Sequence, residues 1–207
     1  MQLPTYLTNA DAYPQFVVSR IDKVPCNPVG SPASHKDSIN WMKLDEAIER
    51  IALLGPTYKL GYSITSQTKL FFIDIDKAVT NGEWSKLAYD LCILFSGCFI
   101  EISQSGTGLH IMGRYTGELK AHKNKNTELN IELYTHDRFV LFGGISPQGD
   151  WNTDATQALN ACIDKYWRVE KTTDSEIETV QISTLTDEEI IAKARAKHGA
   201  REVFGGC

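Results

Sequence analysis

The stretch Leu70-Phe-Phe-Ile-Asp74-Ile-Asp76 constrains this chain more than any other. Its first four residues are apolar, so a strand built from them must be covered on both faces, which places it centrally in a sheet. Side chains alternate along a strand, and Asp74 and Asp76, two positions apart, are expected on one face. A carboxylate at the end of a buried strand is costly unless it is paired or bound to a cation, and two side by side repel one another. An oxygen-only arrangement of this kind suits Mg²⁺ or Mn²⁺, with substrate phosphates completing the shell. Alone, an Asp-x-Asp is more often a turn or surface feature than a metal site. The buried flanks Phe71, Phe72, Ile73 and Ile75 shift that balance.

Around this strand the periodicities predict further strands at Phe16–Ser19, Lys59–Ile64, Phe99–Ile102, Leu109–Arg114, Leu129–Tyr134 and Phe139–Phe142. Helices are predicted over Leu44–Leu54, stopped by Gly55 and Pro56, and over Trp84–Phe95 and Thr156–Trp167. Strands and helices mixed without strict alternation favour an α+β or mixed-sheet α/β fold. A chain of 207 residues has room for one compact domain and a short appendage. The domain is expected over 1–168, and the polar, aperiodic stretch 169–184 reads as a linker. Thr186-Asp-Glu-Glu189 is a capping box that starts a helix running to about Lys197, within a helical segment over 185–207. The apolar Val203 and Phe204 near the end have little left to pack on, as expected of a piece of a longer protein.

Composition narrows the class without giving the function. With 42% hydrophobic and 23% charged residues, the chain is ordinary for a soluble globular protein. No apolar run approaches the roughly 20 residues needed to cross a bilayer, and the N-terminus lacks the basic-then-apolar order of a secretory signal, so a cytoplasmic, non-membrane protein is expected. Five scattered cysteines, never spaced as Cys-x-x-Cys, point to neither a disulfide framework nor a zinc site. A net charge of −5 argues mildly against a surface that grips nucleic acid everywhere. Lys120, Lys123 and Lys125 lie on one polar loop, which is either a solvated turn or a contact to DNA.

Two further stretches carry chemistry. In Glu101-Ile-Ser103-Gln-Ser105-Gly106-Thr-Gly108-Leu-His110, the glycines let the backbone turn sharply, so that amide N–H groups and serine hydroxyls can point at an anion. His110 at the start of the next strand is placed to donate to a phosphate oxygen. The bland readings are a glycine hairpin and a packed histidine. In Asn130-Ile-Glu132-Leu-Tyr134, Glu132 faces away from Ile131 and Leu133 and is a third candidate metal ligand. Arg138, opening the next strand, suits pairing with a substrate phosphate.

Together, Asp74-Ile-Asp76, the Ser-Gly-rich stretch ending in His110, and Ile-Glu132-Leu-Tyr-x-x-x-Arg138 resemble, in order and spacing, the three motifs of the archaeo-eukaryotic primase superfamily. The likeness is greatest to the primase-polymerase domains at the N-terminus of phage and plasmid replication proteins, and it runs from about Val17 to Gly144. It implies an α/β module joined to an RRM-like catalytic module. It also implies two Mg²⁺ or Mn²⁺ ions on Asp74, Asp76 and Glu132, with His110 in the catalytic set. The incoming triphosphate would be held by Ser103, Ser105, Gly106, Gly108, His110 and Arg138. The superfamily's second motif often reads Ser-x-His, whereas Gly108 stands two residues before His110 here, so a serine contact to phosphate would fall to Ser103 or Ser105. The expected partners are a single-stranded DNA template, a primer strand and dNTPs or NTPs, with a helicase domain following in the full-length protein. Two rivals fit the same acids or the same strands: a metal-dependent nuclease, and a non-catalytic RRM-like nucleic-acid binder.

Overall fold

The computed structural model describes residues 4–169 of the chain. Its first strands are β1 (Phe16–Arg20) and the two-residue β2 (Pro25–Cys26), followed by α1 (Leu44–Leu54), β3 (Tyr58–Ile64) and β4 (Leu70–Ile75). A short hairpin of β5 (Val79–Thr80) and β6 (Glu83–Trp84) leads into α2 (Lys86–Leu94), then β7 (Phe99–Ile102) and β8 (Leu109–Arg114). The last strands are β9 (Lys125–Asn126), β10 (Ile131–Tyr134), β11 (Arg138–Leu141) and β12 (Ile145–Gln148). They precede α3 (Thr156–Cys162), which continues as a π-helical turn over Ile163–Trp167.

The α/β mixture expected from the sequence is present, with one refinement: all pairs between these strands are antiparallel. Six strands form a sheet in the order β12-β7-β8-β4-β10-β9, and four form another in the order β11-β3-β1-β2. β4 is interior to the larger sheet, as its apolar run requires. Alternation gives that sheet two apolar faces. Phe71, Ile73, Ile75, Ile111, Ile131 and Leu133 pack with Ala88, Leu91, Leu159 and Trp167 from the helical side. On the opposite face Phe72, Phe99, Met112 and Tyr134 share a core with Phe16, Tyr62, Ile64 and Val140 of the four-stranded sheet. Trp151 is fully buried in that core and donates from Nε1 to the Thr8 carbonyl at 2.7 Å.

Local chemistry sets the element ends. The Glu46 carboxylate accepts from the Lys43 N–H at 3.0 Å at the start of α1, where Asp45 and Glu46 also complement the helix dipole. Trp84, expected in a helix, pairs instead with Val79, and α2 begins only after Ser85, whose hydroxyl accepts from the Ala88 N–H at 3.2 Å. Cys26, Cys98 and Cys162 are buried free thiols, and burial pushes Cys98 up to about 11 and Cys162 up to about 12. The described residues, 4–169, belong to one compact unit. The expected linker and final helix fall, apart from Val169, outside the described residues. Among the described residues, no helix is long and apolar enough to cross a membrane.

Candidate active site

Strand register builds the site. Glu101 on β7 stands opposite His110 on β8, His110 opposite Asp74 on β4, Asp74 opposite Glu132 on β10, and Glu132 opposite Lys125 on β9. Directly opposed residues project to the same face with Cβ atoms about 5 Å apart. Five ionisable side chains therefore form one row across five adjacent strands. The neighbouring row on that face, two residues along each strand, is Phe99, Met112, Phe72 and Tyr134, all buried. The polar row thus borders the core shared by the two sheets. His110, Asp74 and Glu132 remain reachable from solvent, with side chains 14%, 19% and 18% exposed.

The smaller sheet supplies the arginine. Arg138 opens β11 and lies over the Tyr134 ring, its guanidinium carbon 4.2 Å from the centroid. Its Nη2 is 3.5 Å from Glu132 Oε2 and 3.7 Å from Asp74 Oδ2, so one cation serves both carboxylates. Glu132 is further occupied: the Lys125 ammonium donates to Oε1, and the Tyr134 hydroxyl donates to Oε2 at 2.7 Å. Burial alone would raise its carboxyl, but those two hydrogen bonds and the nearby positive charges outweigh burial and hold it below its ordinary value. Asp74 goes the other way. Burial pushes its carboxyl up, Asp76 and Glu132 add to the push, and His110 and Arg138 only partly offset it.

The Ser-Gly stretch forms the turn between β7 and β8. Gly106 takes a positive φ of 77°, a conformation that favours glycine. The serines expected to reach an anion are engaged within the turn: Ser103 Oγ lies 2.9 Å from Ser105 Oγ and accepts from the Gly108 N–H at 3.0 Å. The turn closes at the base of the row, because Ser103 and Gly108 are joined by a backbone hydrogen bond of 2.9 Å.

The structure thus brings Asp74, Glu132, His110 and Arg138 together. It sets Asp76 apart from them, exposed in the turn that follows β4 rather than on the strand face. Its backbone N–H is tied to the Asn130 carbonyl at 2.9 Å. Among the described residues, no three His, Cys, Asp or Glu side chains converge closely enough to hold a metal ion. The donor chemistry nevertheless fits a hard divalent cation. The Asp74 side chain accepts no hydrogen bond from any described residue, and its negative neighbours Asp76 and Glu132 raise its need for a positive partner. Completing a shell would draw Asp76 inward and Glu132 away from Lys125.

No protein-family model matches this chain, and a search of curated proteins returns no match.

Two participants hold places other than those the sequence suggests. Lys125, expected on a solvated or DNA-contacting loop, lies on a strand that pairs with β10, and it caps Glu132. Of its loop neighbours, Lys120 forms an ion pair with Asp164. Glu101, in sequence only the first residue of the Ser-Gly stretch, is 1% exposed and lies 2.8 Å from His110 Nδ1. The register of the β7–β8 pair is the signal that joins them, and it becomes readable once the turn is fixed at 103–108.

Proposed function

We propose that this chain carries out DNA-templated nucleotidyl transfer, as a primase-polymerase of the superfamily that its three motifs resemble. The observation that carries the reading is the row of His110, Asp74 and Glu132 on adjacent strands, with Arg138 reaching it from the second sheet. His110, Asp74, Glu132 and Arg138, drawn from all three motifs, lie near one another at a surface accessible to a substrate. The strand order β7-β8-β4-β10, with α2 crossing between β4 and β7, is compatible with the RRM-like module of that fold.

In this reading Asp74, Asp76 and Glu132 hold two divalent ions, Mg²⁺ or Mn²⁺. When bound, these ions would lower the pKa of the attacking 3′-hydroxyl and neutralise the triphosphate. His110 and Arg138 donate to phosphate oxygens and stabilise charge that develops there during transfer. Tyr134 packs its ring against the Arg138 guanidinium, a cation–π contact. The substrates are a single-stranded DNA template, a primer end and a dNTP or NTP.

The test is extension of a labelled primer on a single-stranded template with dNTPs and Mg²⁺ or Mn²⁺. The wild-type chain should lengthen the primer, and the doubly substituted Asp74→Ala/Asp76→Ala chain, folded by circular dichroism, should not. Lengthening by the folded double variant removes the metal-site assignment. Shortening of the oligonucleotide without any dNTP-dependent product identifies a nuclease instead. Unprimed template supplied with dNTPs or NTPs separately tells a primase from an enzyme that only extends.

A further inference from the structure

Glu101 is the most deeply buried member of the ionisable row, and its setting differs from that of the others. At 1% exposure it is closed to substrate and to solvent ions. A buried carboxylate must have its lone pairs filled, and here both oxygens are used. Oε1 pairs with His110 Nδ1 at 2.8 Å, while Oε2 accepts from the Gly144 N–H at 2.8 Å and the Gly143 N–H at 3.4 Å. Those glycines lie between β11 and β12, so the carboxylate ties the His110 ring to a segment remote in sequence. Gly144 permits this because of its size. A Cβ there would lie 2.6 Å from Glu101 Cδ and 2.2 Å from the Ile102 carbonyl oxygen.

The consequence concerns which ring nitrogen of His110 is available. Nδ1 is committed to Glu101, so Nε2 is the nitrogen presented to the open side of the row, where it stands 3.8 Å from Asp74 Oδ1. The face of the ring packs near Phe72, with centroids 5.2 Å apart, which limits rotation about the remaining torsion. An ionised acceptor fixing the distal nitrogen of an imidazole is a common way to set both tautomer and aim.

We propose that Glu101 is a positioning residue: it holds the His110 ring through a hydrogen bond from Nδ1–H, so that Nε2 faces the phosphates of an incoming nucleoside triphosphate. Donation from Nε2 uses the ring with a proton on each nitrogen, whose charge the Glu101 carboxylate balances. The ligand class rests on the nucleotidyl-transfer reading above; the positioning itself rests on the geometry alone.

Two measurements test it. The first is ¹⁵N NMR of the His110 side chain in the wild-type chain, which needs no substitution. Nδ1 should carry a proton, and a ring protonated only at Nε2 overturns the proposal. The second is a double-mutant cycle of Glu101→Gln and His110→Ala, read as kcat/KM for single-nucleotide incorporation. The amide of Glu101→Gln can donate to Nδ1, so the NMR signature should shift toward the Nε2-protonated tautomer. Its kcat/KM should fall about 10- to 100-fold, as expected when an outer partner of a functional histidine is lost. In the His110→Ala background the same change should cost nothing more. An equal loss in both backgrounds means Glu101 acts only on the fold and overturns the proposal. A chain with the Nδ1 signature that transfers no nucleotide upholds the positioning and overturns the functional reading.

Discussion

Asp74 and Glu132 face each other directly across β4 and β10, yet their carboxyl groups are shifted in opposite directions. Burial dominates at Asp74 and raises it, whereas Lys125 and Tyr134 outweigh burial at Glu132 and lower it. The two acids thus sit in different surroundings: Asp74 carries a burial cost that its partners only partly offset, whereas Glu132 has partners enough to overcome its own.

Replacing Asp74 with Asn should stabilise the metal-free protein while abolishing the proposed nucleotide incorporation. Because the folded-state carboxyl is raised above its unfolded value, ionised Asp74 costs stability at neutral pH, and that cost is relieved as pH falls through the folded value. A gain of about 1 kcal/mol at pH 7, or roughly 2–4 °C in Tm for a chain of this size, is expected. The advantage of Asp74→Asn should shrink in acid. Thermal unfolding in EDTA at pH 7 and near pH 4 checks both parts, and a variant less stable than wild type at pH 7 contradicts the electrostatic account.

Tyr134→Phe removes one hydroxyl and should separate packing from hydrogen bonding. The ring that supports Arg138 stays, while the 2.7 Å hydrogen bond to Glu132 is lost. Hydrogen bonds to a charged acceptor are worth about 1.5–3 kcal/mol, so a loss near the lower end is expected at pH 7. Glu132 is depressed in the folded state, so its contribution is complete above the ordinary value of 4.5 and fades as pH falls through the folded value. Denaturant melts from pH 7 downward should show the wild-type and Tyr134→Phe curves converging in acid.

How much of this was legible beforehand depends on the kind of signal. β4, β7, β8 and α1 occupy the spans their apolar patterns predict, because burial on one or two faces leaves a period in the sequence. β12 left none. All four of its residues are exposed, it contains Pro147, and it pairs with β7 through a shifted register at the sheet edge. β9 is only two residues long, so Lys125 read as part of a loop. Asp74, His110, Glu132 and Arg138 were visible as motif residues. Glu101 was not, since a single acid within Phe-Ile-Glu-Ile reads as the solvent side of a strand until the partner strand is known. Asp76 fell on the wrong side of a strand end, where alternation stops being a guide to direction.

Arg138→Lys tests whether the site needs a charge or a plane. Lysine keeps the positive charge but loses the stack on Tyr134 and the reach of Nη2 to both carboxylates. Single-nucleotide incorporation should place Arg138→Lys closer to Arg138→Ala than to wild type, with kcat/KM reduced on the order of 100-fold. Near wild-type kinetics for the lysine variant would reduce Arg138 to a point charge.

Divalent cation binding should itself be readable as stability, without any turnover. An ion that binds the folded state alone raises unfolding free energy by RT ln(1 + [L]/Kd), about 2.7 kcal/mol at a hundred times Kd. For a chain of this size that corresponds to a rise of roughly 5–10 °C in Tm on titrating Mn²⁺ into chelator-treated protein. Asp74 accepts no hydrogen bond from a described residue and sits between His110 and Glu132 in the row, so Asp74→Asn should remove the shift almost entirely. Glu132 must release Lys125 before it can bind, so Lys125→Met should enlarge the shift at low Mn²⁺ concentration by removing the competing ammonium. A shift that survives Asp74→Asn would place the cation elsewhere on the molecule.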